Sequence, residues 1–526
     1  MPDITSYSLA PLNRTFQEND LLHLLRRCLF GIGHQEFSFF NNKPLSNCLD
    51  ILLIQSPVPP MLAQEDPDLT DPFVPNGQQW VDAPWENNDI DRKRRIYLKG
   101  WWTGQIINRD YSLTEKMVIF WHNHFVTETE MVRDARYSYR YAVMLREFAL
   151  GNFKKLIRTG TTNPAMLVYL NGNTNSKVAP NENYGRELLE LFTIGKENKQ
   201  NYNEDDVKEA ARVLTGWKDD KEKIAVNFHP ELHDTSDKNF SSFFGNAIIK
   251  GKEGMAGAQE TDELIELIFG KEQTAQFVCR NLYRWFVSPQ LDEKIETEII
   301  APLGRVFIEN NFEIKPVLRV LLGSEHFFDP AFRGCIVKSP VDFFIGASKQ
   351  FELALPPLPS DTHLCWIHYN FTLGGLGMMV GDPPSVAGWP AFYQAPKYHQ
   401  WWINTYTLSF RMKIIDNLTT TEGMNCNGPR VKIDLVNFAS KFKDPANASA
   451  LVEDCLNLLC AVEINQAIKD KLKVILNGSE TSARQWNEDW SKLNAHPNDI
   501  NQIKEIECIL DAFFKKIISL PEYQMM

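Results

Sequence analysis

Leu113 to Val126 reads LTEKMVIFWHNHFV. Apolar residues occupy nearly every direction of the ~3.6-residue helical period, so this is a helix buried on all sides rather than a surface one. A helix of that kind needs other helices around it, and the flanking sequence supplies them. Asp89 to Thr127 forms two helical pieces, of which this is the second, and helical patterns recur at 134–150, 163–170, 181–194, 203–215, 258–270, 273–287, 293–309 and 314–322. Upstream, Asn19 is placed to cap a helix whose Leu21, Leu22, Leu25 and Leu29 share a stripe ended by Gly31 and Gly33. The expected fold is mainly α: a large multi-helix body over 19–415, with a C-terminal helical segment, 430–526, packing on it. Three stretches break the pattern. Residues 56–85 are rich in Pro, Asp and Asn and read as a long surface loop. Lys223 to Lys252, where Ile224, Val226 and Phe228 alternate, reads as a small β-hairpin. Residues 353–400 read as an irregular Pro/Gly/Trp-rich region, with helix resuming over Trp401 to Ile415.

Composition narrows the class of function. Apolar residues are 43% and charged residues 23% of the 526, the balance of a folded globular chain. The 67 acidic against 55 basic residues give a net charge of -12, which opposes a non-specific grip on nucleic acid. No apolar run approaches the ~18–20 residues of a membrane span. The nine cysteines are scattered, with no Cys-x-x-Cys, which argues against a disulfide framework, a zinc ribbon or attached haem. No basic, apolar, small-residue leader opens the chain, so the expected compartment is the cytoplasm, with a periplasmic or exported location as the alternative. A Gly-x-Ser-x-Gly elbow, a P-loop and a dinucleotide fingerprint are all missing, which disfavours serine hydrolase, NTPase and simple dehydrogenase chemistry.

Several strings, in consistent order from about residue 20 to 415, resemble the bacterial family catalogued as domain of unknown function 1800. They include Leu24-Leu25-Arg26-Arg27 with Phe30-Gly31; Phe120-Trp121-His122-Asn123-His124-Phe125; Asn163-Pro164-Ala165-Met166-Leu167; and Ala179-Pro180-Asn181-Glu182-Asn183 leading to Arg186-Glu187-Leu188. Ala210-Ala211-Arg212, Leu214-Thr215-Gly216-Trp217, His233-Asp234 with Lys238, and Asp382 to Pro390 (DPPSVAGWP) complete the set. The resemblance implies a mainly helical protein and carries no reaction. It also implies a partner: members are often encoded beside a second family, domain of unknown function 1501, which looks like a sulfatase or alkaline phosphatase relative. Asn171 stands where many relatives carry Asp, which removes a carboxylate from that loop.

Three constellations carry the candidate chemistry. His122 and His124 lie about 200° apart on a straight helix, so they face one ion only if the helix ends there. The alternative is a hydrogen-bonded core histidine beside a terminal cap. In Asn181 to Phe192, Tyr184, Leu188, Leu191 and Phe192 form an apolar stripe, while Asn183, Glu187 and Glu190 share another face. Arg186 is spaced i, i+4 from Glu182 and from Glu190, the pattern of a salt-bridged surface, but Gly185 inside the helix signals close approach of a backbone or ligand. Third come His229, His233 and Asp234 around Pro230. If these groups converge, His122, His124, Glu190 and His233 are the candidate ligands of a divalent metal (zinc, iron or manganese). Glu187, Arg186 and Asp234 are then the candidate catalytic groups of a hydrolytic or oxidative enzyme. The rival reading is a non-catalytic scaffold that binds a protein partner or a glycan through aromatic loops such as Trp101-Trp102 and Trp401-Trp402, with 382–390 as a buttress.

Overall fold

A computed structural model of the protein describes residues 4–63, 71–75, 77–108, 111–196, 201–478 and 485–526. Helices dominate, and the strands form three two-stranded antiparallel ladders among the described residues. Most buried apolar side chains make one connected cluster running from Leu21 in the first helix to Met526, and Leu167, Trp217 and Phe228 make a small second one. No described helix is long and apolar enough to cross a membrane.

At the centre lies Thr114–His124, with Met117 to Trp121 all buried. Ala135–Glu147 and Glu272–Phe286 pack around it, and both present apolar faces at helical spacing. The preceding helix, Asn88–Ile107, is capped by the Asn87 side chain, which accepts from the amides of Asp89 and Ile90. The first helix runs Glu18–Cys28 with its cap at Gln17, two residues earlier than the Asn19 cap predicts. Asp20 closes its N-terminus by accepting from the Gln17 amide (3.0 Å) and from Arg14 and Arg333.

Most predicted helices are present, and the departures have local causes. Residues 353–400 are not wholly irregular: Pro359–Gly375 is a 17-residue helix laid along Asn88–Ile107. Glycines make that contact possible, because a Cβ at Gly104 would sit 2.3 Å from the Trp366 ring and one at Gly100 would sit 2.5 Å from Ile367. Strand pairing begins before 223: Trp217–Asp220 pairs with Ala225–Phe228, and a second short ladder joins Lys238–Asn239 to Ile248–Ile249. The predicted 181–194 helix changes character, with α geometry over Glu182–Glu187 and a π turn over Leu188–Thr193, where the Ile194 amide reaches back to Leu189 O (3.0 Å). Two further π turns occupy Glu296–Ile300 and Val341–Ile345. Such single-turn insertions widen the helix and re-aim side chains, often at functional sites. Tyr184, Leu188 and Phe192 of the predicted stripe are buried, but the widened turn buries Leu189 as well and leaves the fourth member, Leu191, half-buried.

Residues 430–526 hold five α-helices among the described residues, the last being Ile500–Ile518, followed by the 3-10 turn Pro521–Gln524. The described residues of 56–85 hold neither helix nor strand, and part of that loop lies outside the described residues.

Candidate functional site

His122, Asn123 and His124 bond to three different parts of the chain, because consecutive helical residues point about 100° apart. The Gly381 amide donates to His122 Nε2 (3.1 Å), which leaves the proton on Nδ1. Nδ1 then donates to the Tyr141 hydroxyl (3.1 Å), which donates in turn to Phe125 O. Both ring nitrogens are committed, and burial followed by the nearby Arg146 charge pushes the imidazole down to about 3. Asn123 Oδ1 accepts from the Trp389 amide (2.9 Å), and Gly388 lies so close that a Cβ there would be 2.3 Å from that oxygen. Its φ of +91° also suits glycine. Residues 381–389 are thereby clamped onto the end of the central helix, a buttress as expected from the sequence. Asp382 adds an ion pair to Lys99 (2.5 Å) and accepts from Thr129 (2.9 Å).

His124 points elsewhere. Its Nε2 donates to Phe192 O (2.9 Å), burial pushes the ring down to about 4, and Nδ1 has no partner among the described residues. This side chain lines a cleft of about 250 Å³. Glu190 and Leu191 from the first π turn line it too, as does Asp342 from the turn Val341–Ile345. A run of aromatic rings lines it as well, starting at Phe120 beside His124 (centroids 6.2 Å), with Phe120 against Trp285 (5.5 Å), Trp285 against Phe392 (4.4 Å) and Phe392 against Trp402 (5.5 Å). Tyr393 stands at the rim, 43% exposed. The arrangement is apolar and ring-lined with a few convergent polar groups, which is the usual make-up of a small-molecule site.

Arg186 and Glu187 sit just outside this cleft. Arg186 is bound mainly by Glu204 (2.7 and 3.0 Å) and Glu182 (2.9 Å), and its contact with Glu190 is long at 3.6 Å. Glu190 is instead paired with Lys196, which also lines the cleft. Glu187 is half-buried, and burial followed by repulsion from Glu190 raises its carboxyl above the usual range. The close approach signalled by Gly185 is to backbone: a Cβ there would lie 3.2 Å from the Ala211 amide nitrogen.

The third constellation is a separate, sealed assembly. His233 is 1% exposed, with Nδ1 on Thr215 O (3.0 Å) and Nε2 3.1 Å from Glu260 Oε1. Glu260 also takes Lys238 (2.5 Å) and the Lys252 amide (2.7 Å), and both Glu260 and Lys238 are fully buried. Burial alone would raise the Glu260 carboxyl, but these donors outweigh it and hold it below its ordinary value. Asp234 is held by Arg212 (2.8 Å) and the Ser236 amide (2.9 Å), which overcome burial and bring it to about 2. His229 lies outside, paired with Glu231 at 3.0 Å.

The family model described as Protein of unknown function (DUF1800) matches residues 23–525. The chain belongs to this family. No curated protein and no solved structure matches it. In this DUF1800 member, the strings that carry the resemblance supply the clamp (His122, Asn123, 382–390) and the sealed network (Arg212, Thr215, His233, Asp234, Lys238).

The single metal-and-acid centre expected from the sequence is not assembled. Among the described residues no three His, Cys, Asp or Glu side chains are grouped to hold a metal ion. His122 has no free nitrogen, His233 faces Thr215 and Glu260, and Asp234 is bound to Arg212; of the predicted set, His124 and Glu190 share the cleft. Sequence reasoning missed Asn123 as the anchor of 388–389, and it missed Glu260, Lys196 and Asp342. Only Asn123 had a local signal, its place between the two histidines. Glu260 lies 27 positions from His233 in an ordinary amphipathic helix, and nothing in that spacing marks it.

Proposed function

We propose that this DUF1800 protein binds a ring-bearing small molecule in the aromatic cleft, with His124 and Glu190 as its polar contacts. One observation carries the reading: a run of aromatic rings from Phe120 to Trp402 and polar groups delivered by two π turns and by the end of the central helix together line about 250 Å³ of open space. That volume suits one or two rings, whose faces stack on aromatic side chains while their hydroxyl or amino groups reach Glu190 and His124 Nδ1. A sugar ring and an aromatic ring both meet this description. The test is ligand-observed NMR with indole, phenol and methyl glucoside on the wild type and Tyr393→Ala. Tyr393 is exposed enough to be dispensable for folding. Saturable binding of at least one probe, weakened about tenfold or more by the variant, is expected; no binding, or binding indifferent to Tyr393→Ala, refutes the reading.

A catalytic version of this reading rests on Glu187 and Glu190. Two neighbouring carboxyls, one raised by burial and the other held against Lys196, form the pattern of an acid beside a base. On a bound ligand, Glu187 would hold the proton and Glu190 the charge. Turnover of a cleft ligand that disappears in Glu187→Gln while binding persists supports it.

A further inference from the structure

We propose a second site, for an oxyanion, in the small recess where Arg26 and Lys338 meet, with Arg411 behind them. Its ligand class is a carboxylate or phosphate group. The recess, about 20 Å³, is lined by Arg26, Leu29, Lys338, Asp342 and Gln350 among others. That volume holds one water-sized group, enough for a single terminal oxygen of an acid whose remainder stays at the mouth.

The argument is one of charge without partners. Lys338 is 6% exposed and lies over the Tyr523 ring, 3.8 Å from its centroid, and its ammonium has no hydrogen bond or ion pair among the described residues. Arg411 is fully buried and donates only to neutral oxygens, Gln524 Oε1 (2.9 Å) and Lys338 O (2.8 Å), while its Nε has no acceptor. Arg26 is half-buried: it donates to Asn457 O (2.7 Å) and Leu458 O (3.1 Å), and its Nε is buried without a partner. The carboxylate that lines the recess among the described residues, Asp342, is already engaged by Lys116 and by Ser339 Oγ (2.7 Å). Cys460 stands near Lys338 and Arg26, but burial pushes its thiol up to about 11, so it is neutral at physiological pH.

A buried cation that no acid pairs with directly is strongly penalised, and here two, Lys338 and Arg411, lie close to a half-buried third, Arg26. Burial outweighs the attraction that Asp342 exerts on Lys338 and Arg411, and pushes Lys338 down to about 7 and Arg26 and Arg411 to about 10. An oxyanion in the recess removes the penalty. It brings negative charge to an ammonium and to arginine donors that lack acceptors, and Gln350 contributes its amide, since its carbonyl oxygen already accepts from Tyr523 (2.9 Å).

The experiment uses the intact protein. Thermal melting is compared in sodium phosphate, sodium acetate and sodium chloride at matched ionic strength, for the wild type and for Lys338→Met. Phosphate or acetate should raise the wild-type midpoint by several degrees over chloride, saturably, and the increment should vanish in Lys338→Met. A second readout needs no variant: reductive methylation of the wild type, followed by peptide mass spectrometry. Phosphate or acetate should slow labelling of Lys338 several-fold and leave the exposed Lys155 unchanged. Equal midpoints in all three salts, an increment that survives Lys338→Met, or labelling of Lys338 indifferent to the anion would each overturn the proposal.

Discussion

The end of the central helix and the His233 assembly are built from the same residue types, and they end in different situations. Around His233, every acid meets a buried or partly buried donor: Glu260 takes Lys238 and a backbone amide, with His233 Nε2 3.1 Å away, and Asp234 takes Arg212. Around His124, one ring nitrogen is bound to backbone and the other is left at the wall of a cleft, beside a glutamate whose partner Lys196 is 67% exposed. Residue identity does not distinguish a structural network from a binding wall. What distinguishes them is whether donors and acceptors are spent on one another or left facing open space.

The sharpest way to break this comparison is at Glu260. Replacing it with Leu leaves Lys238 buried without its counter-charge, and a loss of about 3–5 kcal/mol in urea unfolding is expected, with ring binding in the cleft unchanged in whatever fraction stays folded. A loss below about 1 kcal/mol would mean the network is not sealed. Next comes His122→Ala, which removes a fully buried ring and both ends of the Gly381 to Phe125 relay. About 2–4 kcal/mol is expected from the cavity and the unpaired amide, together with faster proteolysis of 381–389.

The helix-end histidines also set a pH dependence. Both are held neutral, with folded values near 3 and 4 against an ordinary 6.5, so below about pH 6.5 the unfolded chain binds protons that the folded chain does not. Stability should therefore fall as pH drops from 6.5 toward 4, by about 2 kcal/mol per ring at pH 5. His122→Asn should flatten that slope. Asp234 acts in another window: its folded value of about 2 lies below the ordinary 3.8, so its contribution is intact above pH 4 and lost as pH falls toward 2. Gly388→Ala comes next, at about 1–3 kcal/mol, since the new Cβ meets Asn123 at a φ that disfavours it. The smallest effect on stability, under about 1 kcal/mol, is expected for Glu190→Gln, whose main partner is an exposed lysine. That variant should nevertheless weaken ring binding, and the contrast with Glu260→Leu separates the two regions.

Much of the architecture was legible from periodicity. LTEKMVIFWHNHFV is apolar all round and could only be a buried helix, and the amphipathic patterns at 203–215 and 273–287 appear as Glu204–Val213 and Glu272–Phe286. Pro359–Gly375 was hidden because its glycines and prolines mimic a loop, and because its packing partner is a pair of glycines some 250 positions earlier. The π turn at Leu188–Thr193 was hidden as well, since a wider turn leaves no composition signature and only its effect on Leu189 and Leu191 betrays it.

For the candidate site, the sequence by itself determined the donors, the acceptors and the neighbours within a turn. It placed His122 and His124 on opposite sides of a helix, Gly185 at a close approach, and 382–390 as a buttress, because those are local consequences of helical geometry and backbone freedom. Only the tertiary structure decided which lone pairs are left over. His122 is spent on Gly381 and Tyr141, His233 on Thr215 and Glu260, and His124 keeps one nitrogen for the cleft. The partners that settle this come from distant helices and loops, and hydrogen-bond commitment is a property of the contact, which no spacing within a single segment records.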